Sequence, residues 1–173
     1  MQNIEIKANY QDFEFARSCI QELGGTFRGL SNQRDVYFVC QRGRLKLRVT
    51  NEKNGELIFY RRPDISGPKL SEYQIFLCPE HASLEAILRA SLDVAAVVEK
   101  QRELYLIDNV RVHLDRVSEL GRFIEFEAVL SPGMDYEEEK RKLNELVSHF
   151  RIEPGQLVTH SYLDLMLKRK NLP

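Results

Sequence analysis

The sequence predicts an α+β fold in which about eight antiparallel strands close into a barrel and roughly three or four helices pack outside it. Three observations carry this reading. Short runs of strictly alternating apolar and polar residues recur along the chain. Tight turns join most of them, and strands joined that way are antiparallel. Few long crossovers intervene, so a sheet of this many strands should close on itself.

Asn3 to Ala8 alternates and reads as the first strand. A helix follows over 11–23, with Asp12 as N-cap, an apolar stripe from Phe15 to Leu23, and Gly24-Gly25 as its stop. Thr26 to Leu30 reads as a short strand and Gln33 to Val39 as another, with Gln33, Asp35 and Tyr37 on one face. Gln41-Arg42-Gly43 turns the chain into Arg44–Val49, and Asn51–Gly55 turns it again into Leu57–Arg62. Asp64–Pro68 is a loop, and Ser71–Leu77 is a strand. Pro79–Leu92 carries a helical stripe. Val97–Glu103, extended to Ile107, then Val110–Val117 and Arg122–Leu130 are three strands with turns at Asp108-Asn109 and Glu119–Gly121. Helices over 135–150 and 161–170 close the chain, the first with a solvated charge run from Glu137 to Lys142.

Composition bounds the function. The 173 residues are enough for one domain, 1–173, with a proper core. A net charge of −1 argues against a generally basic nucleic-acid binder. No apolar run approaches the roughly 18 residues of a membrane span. The start lacks a signal-peptide pattern, so a cytoplasmic location is the default expectation. Cys19, Cys40 and Cys78 are widely spaced and read as buried thiols rather than a disulfide or zinc framework.

The polar faces carry the functional signal. Glu125 and Glu127 lie on one side of a strand, about 6.5–7 Å apart, and repel each other unless something positive sits between them. A lone Glu-x-Glu reads first as a strand with one wet face. Here, however, the signs segregate by strand. Lys46 with Arg48 and Lys100 with Arg102 present bases, Glu125 with Glu127 presents acids, Glu5 and Lys7 share the first strand, and Asp115 joins from the strand at 110–117. If these faces point inward, the barrel holds a charged lumen and its apolar faces pack on the helices. Buried charges are costly unless paired or coordinated. A bound polyanion with a hard divalent cation would compensate them. His113 reads as structural, Tyr37 and Tyr73 as core or rim, and His81, His149 and His160 show no ligand spacing.

Seven short motifs stand in order: Asn3-Ile-Glu-Ile-Lys7, Leu45-Lys-Leu-Arg48, Tyr60-Arg-Arg-Pro63, Lys69-x-Ser71, Val98-x-Lys100-x-Arg102, Leu114-Asp-Arg-Val117 and Phe123-Ile-Glu-Phe-Glu127. Together they resemble the CYTH superfamily of triphosphate tunnel metalloenzymes, which includes class IV adenylate cyclases, thiamine triphosphatases and tripolyphosphatases. Ser161–Leu165 resembles that family's closing helix. The resemblance implies a closed eight-stranded tunnel and Mg2+ or Mn2+ as cofactor. It implies a small triphosphate as partner (ATP, thiamine triphosphate or tripolyphosphate), with no nucleic acid or membrane, in a monomer or homodimer. Carried over by position, Glu5, Asp115, Glu125 and Glu127 are metal ligands, and Lys46, Arg48, Arg61, Lys69, Lys100 and Arg102 grip phosphate. Lys7 and Arg61 are the catalytic candidates, Lys7 orienting or deprotonating a nucleophile. The implied activity is conversion of ATP to cyclic AMP and pyrophosphate. Hydrolysis of a triphosphate and non-catalytic binding of a nucleotide or polyphosphate are the alternatives. Asn3 departs from the family's opening Glu-x-Glu-x-Lys, and a neutral amide is a weaker metal ligand.

Overall fold

Residues 1–170 are described by a computed structural model, and 171–173, the end of the expected domain, lie outside the described residues. Eight strands form one closed antiparallel barrel. They are β1 (Gln2–Asn9), β2 (Thr26–Phe38), β3 (Arg44–Thr50), β4 (Asn54–Arg61), β5 (Lys69–Cys78), β6 (Val94–Ile107), β7 (Val110–Val117) and β8 (Gly121–Val129). Around the barrel the order is β1-β5-β4-β3-β2-β6-β7-β8, with β8 closing back on β1. Among the described residues four helices complete the fold, α1 (Phe13–Glu22), α2 (His81–Ser91), α3 (Tyr136–His149) and α4 (Tyr162–Lys170), with a 3-10 turn at Pro154–Gln156.

The alternation reading holds across the barrel, with one revision. The two short strands expected over 26–39 are a single strand, β2, paired with β6 along almost its whole length. Gly29, at φ +148°, absorbs a register shift between Phe27 and Gly29. A bulge at glycine lets the strand continue where alternation alone reads as a break. Asp12 caps α1 as expected, its side chain accepting from the Phe15 amide. At the turn before β3, Gly43 takes φ +67°, and a Cβ there would lie 2.7 Å from the Tyr60 carbonyl oxygen, so only glycine fits the hairpin.

The apolar strand faces look outward. Ile4, Ile6 and Ala8 of β1, Val112 and Leu114 of β7, and Ile124 and Phe126 of β8 pack beneath α1 and α3. Phe126 meets Phe150 edge-on at 5.0 Å. A smaller cluster of Val36, Phe38 and Leu47 sits under α2. The third cluster lies inside: Tyr37, Ala96, Val98, Val117 and Phe123 meet Val158, Tyr162, Leu163 and Met166 of the C-terminal segment. α4 therefore plugs one end of the barrel, and the polar lumen lies between that plug and the opposite mouth.

Leu143 of α3 is fully buried against the barrel wall. Leu143→Ala should cost about 2–5 kcal/mol, read as a lower urea midpoint at unchanged slope. A loss under about 1 kcal/mol would mean that α3 contributes little to holding the barrel.

Candidate functional site

A cavity of about 350 Å³ occupies the barrel interior. Glu5, Lys7, Lys46, Arg48, Lys100, Arg102, Glu125 and Glu127 all line it, so the alternating polar faces do point inward. Strand register then sorts them into two walls.

The acidic wall is β1-β8-β7. Pairing sets Glu5 opposite Glu127 and Lys7 opposite Glu125, and places His113 beside Glu125 and Arg111 beside Glu127. Lys7 Nζ lies 3.3 Å from Glu125 and 3.9 Å above the centre of the Tyr162 ring. Glu125 also accepts from Arg102 at 3.0 Å. Burial pushes Glu125 upward, but Lys7, His113 and Arg102 more than offset it and hold the carboxyl well below its usual range. Glu5 goes the other way: burial, then the neighbouring charge of Glu125, raises it, although Arg62 pairs with it.

The basic wall is β2-β3-β6. Lys46, Arg48 and Lys100 reach the cavity surface, and all three contact one carboxylate, Asp35 of β2. Arg102 bridges the walls, donating to both Asp115 oxygens at 2.7 and 2.6 Å as well as to Glu125. Ile58, Ile75 and Leu104 also line the cavity, so the charged interior includes an apolar portion.

Three expected residues lie elsewhere. Arg61 is exposed on the outside, its guanidinium 5.5 Å from the Phe59 ring centre. The reason is parity: Ile58 and Tyr60 face the lumen, so 61 faces out, and Arg62 takes the inward place. Lys69 is buried but does not line the cavity. Its ammonium donates to the carbonyls of Ile65, Val158 and Thr159 at 3.1–3.3 Å, tying β5 to the segment before α4. Asp115 is fully buried behind the wall, both its oxygens engaged by Arg102 and one also by the Tyr162 hydroxyl.

Sequence reasoning passed over Asp35, Arg62, Arg111 and Tyr162. Asp35 and Arg62 carry a period-two signal, from Gln33-x-Asp35-x-Tyr37 and from Ile58 onward. Tyr162 enters from a helix after a loop, where strand alternation says nothing. His113, expected to be structural, lies 3.4 Å from Glu125 and 3.9 Å from Glu127.

The residues fit a hard divalent cation and an anion. Glu5, Glu125 and Glu127 offer carboxylate oxygens on adjacent strands. Ligand atoms of His113, Glu125 and Glu127 lie within 4.8 Å of one another. Among the described residues, Asn3 Oδ1 is a buried acceptor without a partner, and Arg62 Nε and Nη2 are buried donors without partners. Such orphaned groups typically cost about 1–3 kcal/mol each until a ligand satisfies them.

A family model described as CYTH domain matches residues 1–162. A Methanocaldococcus jannaschii protein that carries the name of a candidate adenylate cyclase is 22% identical over 95% of this chain and 98% of its own. A Pyrococcus horikoshii structure superposes with a TM-score of 0.81 at 24% identity, covering 94% of this chain and 98% of that one. A Hippeastrum adenylyl cyclase candidate, reported with a dominant triphosphatase activity, superposes with a TM-score of 0.68 at 13% identity over 99% of this chain and 97% of its own.

The basic wall has a stability cost that can be measured. Burial, then the neighbouring Arg48, pushes the Lys46 ammonium down to about 8 despite Asp35. Lys46→Met leaves Asp35 with Arg48 and Lys100 and should stabilise the ligand-free protein by about 1 kcal/mol at pH 7, raising Tm by about 2–4 °C. Lysine in the unfolded chain keeps its proton to about 10.5. Between pH 8 and 10.5 the unfolded wild type thus binds more protons than the folded one, and wild-type stability rises with pH. The gain from Lys46→Met should therefore narrow across that window. Melting curves at pH 7 and 10 check it, and an unchanged Tm at pH 7 would count against the strain.

Proposed function

The chain belongs to the CYTH domain family, and from that premise we propose that it is a divalent-metal-dependent enzyme that binds a triphosphate in its tunnel and converts ATP to cyclic AMP and pyrophosphate. One observation supports this most directly: a cavity with a deep basic wall, an acidic wall facing it, and orphaned Arg62 donors between the two. The name of the archaeal relative agrees with it.

In this reading Lys46, Arg48, Lys100, Arg102 and Arg62 hold the phosphate oxygens. Arginine suits bidentate contact, and lysine acts as a point charge. Glu5, Glu125 and Glu127 hold the cation, with His113 beside them and Asn3 offering a neutral oxygen. A bound cation supplies Lewis-acid neutralisation of charge developing on the phosphates. The ribose 3′-hydroxyl oxygen attacks the α-phosphorus and gives up its proton to solvent, the bridging oxygen leaves with the pyrophosphate, and the clamp stabilises the charge it carries away. Lys7, seated between Glu125 and the Tyr162 ring, orients the nucleophile. The apolar lining of Ile58, Ile75 and Leu104 favours an organic head over bare tripolyphosphate.

Triphosphate hydrolysis is the second reading. Its specific support is the activity reported for the Hippeastrum protein on the same fold. The clamp is shared, and only the phosphorus facing the nucleophile differs.

Purified protein should be given ATP, thiamine triphosphate and tripolyphosphate, each with Mg2+ and with Mn2+. Cyclic AMP with pyrophosphate from ATP, reduced at least about 100-fold in Glu125→Ala, is the expected result. Orthophosphate without cyclic AMP would replace the cyclase reading with hydrolysis. No product from any substrate would overturn both.

A further inference from the structure

One carboxylate in the barrel has no assigned part in the chemistry and more lysine and arginine partners than any other among the described residues. Asp35 is fully buried, on the lumen side of β2 but behind the cavity lining. Its Oδ2 accepts from Lys46 at 2.9 Å, from Arg48 Nη2 at 2.8 Å and from Lys100 at 3.3 Å, and its Oδ1 accepts from Arg48 Nε at 2.7 Å. These cations come from two strands that flank β2 on opposite sides, β3 and β6. Each stands between Asp35 and the cavity and keeps N–H groups that Asp35 does not use.

We propose that Asp35 is the positioning residue of the phosphate clamp: from behind the wall it gathers Lys46, Arg48 and Lys100 into one converging arrangement before any anion enters. This rests on the triphosphate reading and deepens it.

The geometry explains why such a residue is needed. Three cations on neighbouring strands repel one another, and long side chains in a polar cavity have many rotamers. A shared counter-ion removes both problems in advance. It also opposes deprotonation. Burial lowers both lysines, and Arg48 and Arg102 lower them further, while Asp35 acts in the opposite direction. The other groups facing them are the rings of Tyr37 and Tyr60 against Lys46, the ring of Tyr162 against Lys100, and Asp115, which adds a weaker raising effect on Lys100.

The test is calorimetric binding of magnesium tripolyphosphate from pH 6 to 9, with circular dichroism to verify folding. Wild-type affinity should be highest at the low end and decline as the clamp lysines lose their protons, Lys46 at about 8. For Asp35→Asn the decline should begin at least about one pH unit lower, with affinity at pH 8 at least about tenfold weaker and a much smaller loss at pH 6. A folded Asp35→Asn protein that tracks wild type, or that loses affinity equally at every pH, overturns the proposal, because a purely structural role would not move the profile. If Asp35→Asn does not fold, Asp35→Glu decides. It keeps the charge and shifts the carboxylate by one methylene, so the midpoint should stay at the wild-type pH while affinity falls several-fold. A displaced midpoint or undiminished affinity in Asp35→Glu overturns the proposal. If wild type binds no tripolyphosphate at any pH, the triphosphate reading itself falls. A wild type that binds, beside a variant with an unmoved profile, removes only the role of Asp35.

Discussion

Everything in this barrel depends on keeping opposite charges paired inside a wall that excludes most water. An ordinary antiparallel sheet buries its apolar face and wets its polar one. Here the apolar faces of β1, β7 and β8 are covered by α1 and α3, and the polar faces are left to the lumen. That arrangement survives only if each buried charge finds a partner, since an unpaired one costs several kcal/mol. The partners are regular: Asp35 for the bases of β3 and β6, Asp115 for Arg102, Glu125 for Lys7 and Arg102, and Arg62 for Glu5.

The pairing is deliberately incomplete at the cavity surface. Asp35 and Asp115 sit behind the wall with their oxygens engaged, while the bases they hold keep free N–H groups toward the cavity. Arg62 has two buried donors and Asn3 one buried acceptor unmet. Such unmet groups cost stability in the empty protein, and in the proposed reading a bound anion and cation would satisfy them, as preorganised electrostatics requires. The α4 plug belongs to the same scheme. It seals one end with apolar residues, and it delivers Tyr162 both to Asp115 and to the ring face beneath Lys7.

Much of this was legible from the chain because a strand reports its face with period two. Alternation places eight residues on shared polar faces, and the sign pattern makes an inward direction worth testing; the structure supplies that direction. The failures have equally physical causes. The motif Tyr60-Arg-Arg-Pro63 offers two bases, Arg61 and Arg62, and only parity counted from Ile58 separates them. Lys69 has the right parity and charge, yet its ammonium turns to the Ile65 carbonyl just before β5 and to two carbonyls, of Val158 and Thr159, that a segment far along the chain brings to it. Alternation puts Asp35 on the correct face, but an acid between basic strands does not declare its partners until the register places Arg48 and Val98 on either side of it.

Asn3 shows how a single departure is absorbed. Its backbone pairs with Ser71 and Val129, so the strand gains nothing from the side chain, and its Oδ1 is left buried and unmet in the lumen. A carboxylate at this position would stand one step along β1 from Glu5, already raised by burial and by Glu125. A further negative charge there would push those carboxyls upward again unless a cation bound tightly. The neutral amide lowers that repulsion while keeping an oxygen in place. The acidic wall therefore carries less repulsion to offset, and in the proposed reading Asn3 adds a weaker neutral oxygen beside the carboxylates of Glu5, Glu125 and Glu127.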